Sequence, residues 1–314
     1  MSPPFPGPPP GATPPTARGT APCFTVILPT RNRLRSLQAA VAALRRQTLP
    51  PGEVELVVVE DGCTDGTPAF LEAEASAGGL RVLHTPGLGP AGARNAALAA
   101  ARGELLAFTD DDCVMPPDWL ERLRAALAPG GPDAVGGGVR NAAPALLSQV
   151  YQDMAGFFYE AHNREPGRAR FLTTNNFACR RAAVGRAGGF DPRFHLGGSD
   201  RELVARMLDA GLRVEYRPGI SVDHHHHYRL GSFLKHLFRQ GQGSHLRLRV
   251  VGRGKAGVER VSPGTYVALL RYVARGHGVA GGSGRAALAM LGQAAVVAGY
   301  LAAAAGWRPR QARG

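Results

Sequence analysis

From Phe24 to Val139 short apolar runs alternate with stretches whose apolar residues recur every three to four positions, and no other feature constrains the fold as much. Phe24–Leu28 is an apolar run stopped by Pro29, and Leu34, Leu37, Val41 and Leu44 then form one helical stripe. Val54–Val59 reads as a buried strand, Thr67-Pro68 as an N-cap with proline at the first helical position, and Leu80–Leu83 as another strand. Ala91–Ala101 is an alanine-rich helix and Leu105–Phe108 a strand. Leu120, Leu123 and Leu127 mark a helix that opens after Pro116-Pro117, and Ala134–Val139 closes the series. Parallel strands need crossover connections, so this order predicts an α/β fold: a Rossmann-like, mostly parallel sheet with helices on both faces. Such sheets bind ligands beyond the carboxyl ends of their strands.

The flanks differ from this centre. Eleven of the first fifteen residues are Pro, Gly or Ser, without a charged or apolar signal-peptide region, so residues 1–22 read as a disordered leader. Residues 1–200 carry 19 Arg and 19 acids, whereas residues 201–314 carry 18 basic residues against 5 acids; after Asp223 the only acid is Glu259. The net charge of +13 therefore belongs to the tail, where an anionic partner is expected: acidic lipid headgroups, a phosphorylated acceptor or nucleic acid. Phe233, Leu234, Leu237 and Phe238 fall on one side of a basic helix suited to lie on an anionic membrane surface. Ala286–Trp307 is uncharged and long enough to span a bilayer, but its Ala and Gly content favours a packed or membrane-apposed helix. Residues 229–314 are thus set apart from a domain over 23–228. Cys23, Cys63, Cys113 and Cys179 show no C-x-x-C spacing, which argues against a zinc knuckle or disulfide framework and for a reducing, cytoplasmic setting, with the cytoplasmic face of the membrane as the variant.

Two acidic clusters sit at expected strand ends, Glu60-Asp61 and Asp110-Asp111-Asp112. Three adjacent aspartates raise one another's pKa unless a cation or water relieves them. If the backbone stays extended, Asp110 and Asp112 point to one side and can share a Mg²⁺ or Mn²⁺ ion, which suits a diphosphate. Asp61, in V-V-V-E-D-G-C-T-D-G-T, can accept a hydrogen bond from a base or ribose, or close an Asx turn. In G-G-S-D-R-E-L the spacing predicts a capping box with Ser199 as N-cap and Glu202 as its partner, leaving Asp200 on the first turn as an accessible general base. Of His224–His227, at most one is expected to complete an oxygen-rich metal site.

Taken together, F-T-V-I-L-P-T-R-N-R, V-V-V-E-D-G-C-T-D-G-T, G-P-A-G-A-R-N-A-A-L, F-T-D-D-D-C-V-M-P-P-D-W-L, N-N-F-A-C-R-R, G-G-F-D-P-R-F and G-S-D-R-E-L resemble, in order, the family 2 glycosyltransferases of GT-A fold from Phe24 to His227. The resemblance implies an inverting, metal-dependent transfer from a nucleotide-diphospho-sugar to an acceptor hydroxyl, lipid-linked or small. It places Pro29, Thr30, Arg33 and Asp61 around the nucleoside, and Arg94 and Asn95 near the nucleotide. Asp110, Asp111 and Asp112 stand at the D-x-D motif, with Asp110, Asp112 and His224 as metal contacts and Asp200 as the base. The family's usual Asp, Ser and Glu are replaced by Glu60, Cys63 and Ser199, the last leaving the acceptor open. The Q-x-x-R-W motif of processive synthases is missing, so a single transfer is expected. Two alternatives stand beside it. A nucleotidyltransferase would need a basic triphosphate loop that the first strand lacks; a nucleic-acid-binding protein would leave the strand-end carboxylates unexplained, so no nucleic acid is expected as partner.

Overall fold

The computed structural model describes residues 22–195, 197–251 and 262–307; the leader up to residue 21 and Glu259 lie outside the described residues. The alternation is realised as β1 (Phe24–Thr30), α1 (Leu34–Arg45), β2 (Val54–Asp61), α2 (Thr67–Ser76), β3 (Arg81–Thr85), α3 (Gly89–Ala100) and β4 (Leu105–Thr109). There follow β5 (Cys113–Val114), α4 (Trp119–Ala126), β6 (Ala134–Asn141), α5 (Leu146–His162), β7 (Asn176–Arg180), α6 (Arg181–Ala187), α7 (Ser199–Asp209) and β8 (Val214–His224). Helices α8 (Leu230–Val251), α9 (Pro263–Ala274) and α10 (Gly278–Ala304) complete the described chain.

One sheet runs β3-β2-β1-β4-β7-β6-β8-β5. Its first four strands are parallel, β7 is antiparallel to both β4 and β6, β8 is parallel to β6, and β5 returns antiparallel along β8. The period-2 alternation sorts the core: Ile27, Val57, Val59, Leu106 and Phe108 face α3, α6 and α7, while Val26, Leu28, Leu56, Val58 and Ala107 face α1, α2 and α4. Contrary to the expectation that Pro29 stops it, β1 runs on to Thr30: the ladder to β4 stops at Ile27↔Phe108 while that to β2 continues to Thr30↔Glu60. There β1 is an edge on one side, the setting in which a sheet accepts proline. Thr67 is not an N-cap either; Gly66 holds that position, and Asp65 Oδ1 accepts the Thr67 N–H at 3.0 Å.

Strand β7, placed between two others, is held by Asn176, 1% exposed. Its Nδ2 donates to the carbonyls of Gly138 (2.7 Å) and Ile220 (2.9 Å), and its Oδ1 accepts from Trp119 Nε1 (2.9 Å). A buried amide fully paired in this way fixes the irregular β6–β8 pairing next to it.

The tail is built into the molecule. Phe233 and Leu237 of α8 are buried with Val150 and Met154 of α5, Leu269 and Val273 of α9 and Ala289 of α10. The apolar side of α8 expected to meet a membrane is therefore largely consumed by packing. A Cβ at Gly241 would strike the Val296 carbonyl, and one at Gly299 the Phe238 carbonyl, so glycines let α8 and α10 approach closely.

Candidate active site

Strand ends, the loop before α7 and α8 enclose an open cavity of about 1770 Å³. Pro29, Thr30, Arg33, Asp61, Arg94, Asp110, Asp111, Asp112, Asp200 and His224 all line it, so all but one of the residues expected to act as base, nucleotide contact or metal ligand converge there. Asn95 is the exception. Its Nδ2 donates to the Phe190 carbonyl (2.7 Å) and its Oδ1 accepts the Phe190 N–H (2.9 Å), which uses the amide to clamp the G-G-F segment to α3.

Asp61, expected beside the nucleoside, is 4% exposed. Its Oδ1 accepts from the Thr85 hydroxyl and the Leu88 N–H, both at 2.6 Å, and its Oδ2 from the Gly89 N–H at 2.8 Å. The carboxylate thus fixes the turn into α3 while forming part of the cavity wall.

The three aspartates diverge. The chain turns at Asp110, with Cys113 N–H donating to the Asp110 carbonyl at 3.1 Å, so the extended geometry that would align Asp110 and Asp112 does not occur. Arg94 Nη2 donates to Asp110 Oδ1 (2.6 Å). Asp111, 4% exposed, accepts from the Thr30 hydroxyl (2.8 Å) and Arg33 Nη1 (3.1 Å). Burial, reinforced by Asp112, pushes the Asp111 carboxyl up to about 6 against the pull of Arg33. Asp112 accepts from Arg33 Nη1 at 2.6 Å and faces His224 Nε2 at 3.1 Å. Burial works to raise it, but His224 and Arg33 prevail and hold it well below the usual carboxylate range.

His224 is brought to Asp112 by register, because Cys113 pairs with His224 across β5 and β8. Beyond it His225 and His227 are exposed while His226 is 6% exposed, the in-and-out alternation of an extended segment. His226 Nε2 lies 3.3 Å from the Ser148 carbonyl, and its Nδ1 lies 2.9 Å from His224 Nδ1. Burial, with the charge of His224 acting in the same direction, pushes His226 down to about 4, so the ring is neutral. A carbonyl only accepts, so Nε2 of His226 carries the single proton and Nδ1 must accept from His224. The remaining nitrogen of His224, Nε2, then turns a lone pair toward Asp112 Oδ1. Two acceptors at 3.1 Å require a cation between them, a proton on His224 or a metal ion. Asp112, Cys113 and His224 are a group whose ligand atoms lie within 4.8 Å of one another. Burial, with Asp112 and Asp110 beside it, raises the Cys113 thiol far above its ordinary value, leaving the carboxylate and imidazole as the fitting donors. The role of His226 was not read from the run of four histidines, although the alternation of inward and outward positions was its signal.

Also on the cavity lining, Gly197 (φ 133°) and Gly198 (φ 88°) swing the chain into α7. Ser199 is consequently the first helical residue and not the N-cap, no side chain caps the helix, and the expected capping box does not form. Glu202, 1% exposed, is bound instead by Arg206, whose Nε and Nη2 lie 2.5 and 2.6 Å from it. Asp200 remains half-buried on the first turn, its Oδ1 accepting the Arg201 N–H at 2.8 Å.

A four-strand parallel unit with carboxylates at its strand ends, extended by an antiparallel strand that carries the chain to a glycine-hinged aspartate, defines a GT-A type α/β fold. The family model "Glycosyl transferase family 2" matches residues 25–188, and the chain belongs to that family. The pre-mycofactocin glycosyltransferase of Mycobacterium tuberculosis is 31% identical over 241 residues, covering 72% of this chain and 47% of that protein. This chain therefore spans about half the length of that relative. Glycosyltransferase AglE of Haloferax volcanii is 29% identical over 229 residues, 71% of this chain and 73% of the relative. Among solved structures, the mannosyltransferase PcManGT from Pyrobaculum calidifontis, in complex with GDP-Man and Mn²⁺, superposes with a TM-score of 0.66 at 20% identity, covering 91% of this chain and 88% of that one. Residues 1–349 of TarS from S. aureus give 0.54 at 16%, covering 93% of each chain. These two likenesses concern the fold.

Proposed function

We propose that the chain transfers one sugar, with inversion, from a nucleotide-diphospho-sugar to an acceptor hydroxyl. The observation that carries this reading is the convergence of Asp200 with Asp112, His224 and Arg94 on one cavity. Asp200 takes the proton of the acceptor hydroxyl. The acceptor oxygen bonds to the anomeric carbon as the bond from that carbon to the diphosphate oxygen breaks, and the nucleoside diphosphate departs on the opposite side. Pro29, Thr30 and Asp61 bound the nucleoside end, while Arg33 and Arg94 supply positive charge beside the aspartates. Arg94 Nε is buried without a partner among the described residues, a donor suited to an anionic ligand.

The facing lone pairs of Asp112 and His224 fit a Mg²⁺ or Mn²⁺ ion, while Asp110 is engaged by Arg94 and Asp111 is kept from it by Thr30 and Arg33. Such an ion, when bound, offsets the charge of a departing diphosphate. The GDP-Man and Mn²⁺ held by PcManGT support the same donor class. A panel of UDP-, GDP- and dTDP-sugars is expected to raise the thermal midpoint for one nucleotide, and more with Mn²⁺ than with EDTA. No shift with any donor overturns the reading.

The tail supports a second contact. Helix α10 has a mean hydropathy of 1.7 over an 18-residue window of which 17% is buried, and it exposes Met290, Leu291, Val297 and Leu301. Joined to the basic charge of this half, this face suits an anionic bilayer surface on the cytoplasmic side. Co-sedimentation with phosphatidylglycerol vesicles but not phosphatidylcholine vesicles, reversed by salt, is expected; equal recovery in the supernatant with both overturns it.

A further inference from the structure

The cavity lining holds two groups of charges, one of them already paired. Asp61 is engaged by Thr85, Leu88 and Gly89, Asp110 by Arg94, and Asp111 and Asp112 by Arg33. The lining of the same cavity also carries Arg201, Lys235, Arg239 and Arg247, beside Asp200. Among the described residues Arg201, Lys235 and Arg239 form no ion pair.

This wall is assembled, not incidental. Gly243 of α8 meets the Gly197 carbonyl so closely that a Cβ would collide with it, which seats α8 against the loop delivering Asp200. Tyr151 of α5 ties α8 from the other side, its hydroxyl lying 3.1 Å from both His236 Nε2 and Gln240 Nε2. Arg201 is laid over the Phe171 ring, 5.3 Å from its centroid. Lys235 and Arg239 stand at i and i+4 on α8, a like-charge spacing that disfavours the helix. Burial pushes Arg247 down to about 9, Arg201 acting in the same direction and Asp200 against it. Arg201 and Arg247 lie close enough to repel each other beside Asp200, and Lys235 and Arg239 line the same cavity, a concentration of positive charge that an incoming anion relieves.

We propose that this wall is the acceptor subsite and that the acceptor carries a phosphate or carboxylate close to the hydroxyl that receives the sugar, held by Arg201, Lys235, Arg239 and Arg247. The inference rests on the transfer reading above. In an in-line displacement the acceptor enters opposite the leaving diphosphate, on the side of the base, and Arg201 directly follows Asp200 on the first turn of α7 in the same cavity. The acceptor's anion remains unchanged through the reaction and serves to orient its hydroxyl toward Asp200.

The full chain, with its donor side filled by excess Mn²⁺ and UDP or GDP, is titrated calorimetrically with matched probes: glycerol 3-phosphate against glycerol, and farnesyl phosphate against farnesol. The phosphorylated member of a pair is expected to bind at least about tenfold more tightly. A preference in both pairs points to a soluble acceptor, and one confined to the farnesyl pair to a lipid phosphate. The preference is expected to fall several-fold in Arg247→Gln. The double variant Lys235→Gln/Arg239→Gln, both at exposed positions, gives the same readout without disturbing the core. Equal binding of neutral and phosphorylated members, or a preference unchanged in both variants, overturns the proposal. Failure of every nucleotide to bind, with the phosphate preference intact, counts against the donor reading alone.

Discussion

Asp200→Asn is expected to lower turnover by about 10²–10⁴-fold while leaving the donor-induced thermal shift in place. The amide keeps the size and the acceptor oxygen for the Arg201 N–H, so α7 retains its first turn, but the basic oxygen is gone. The other acid of the S-D-R-E segment cannot take over. Glu202 is 1% exposed and bound at two points by Arg206, whereas Asp200 is half-buried on the cavity wall. Single-turnover measurement of nucleoside diphosphate release, beside the thermal shift, separates the two effects. Near-wild-type release would reduce Asp200 to a residue holding the start of a helix.

The half of the sheet from β1 to β4 was legible because each strand is a run of apolar residues and each helix between them has a clear stripe. The acidic ends of β2 and β4 marked the site for the same reason: a charge where an apolar run stops is conspicuous. What stayed hidden depends on contacts distant in sequence. Asn176 looks like any loop amide until Gly138, Ile220 and Trp119 are brought to it. Asp110 and Asp112 were expected on one side because an extended chain was assumed, and a turn closed by one backbone hydrogen bond separates them. The spacing of Ser199 and Glu202 suits a capping box, yet two left-handed glycines start the helix one residue too early for it. The basic tail was visible as charge, but α8 joins the cavity through Gly243, a residue whose smallness carries no local pattern.

Manganese affinity is the other quantity expected to move far. Asp112→Ala removes the carboxylate that faces His224 Nε2, and the dissociation constant for Mn²⁺, followed by loss of the free-ion EPR signal, should rise beyond what any neighbour causes. His226→Phe should weaken Mn²⁺ binding by about 10–100-fold although His226 makes no contact with Asp112, because substitution of outer-shell partners of metal-bound imidazoles costs about that much. Phenylalanine preserves the ring packing against Tyr151 and Tyr228, at centroid distances of 5.1 and 5.0 Å, but offers no acceptor to His224 Nδ1. His224 is then released to place its proton on Nε2, the nitrogen that must be bare. His225→Gln, at the exposed position between them, should leave the affinity unchanged. Reintroducing a side chain with an acceptor, as in His226→Gln, should recover part of the affinity, a response that loss of packing alone would not produce. Binding undiminished in Asp112→Ala would remove the metal from this site, whatever His226→Phe did.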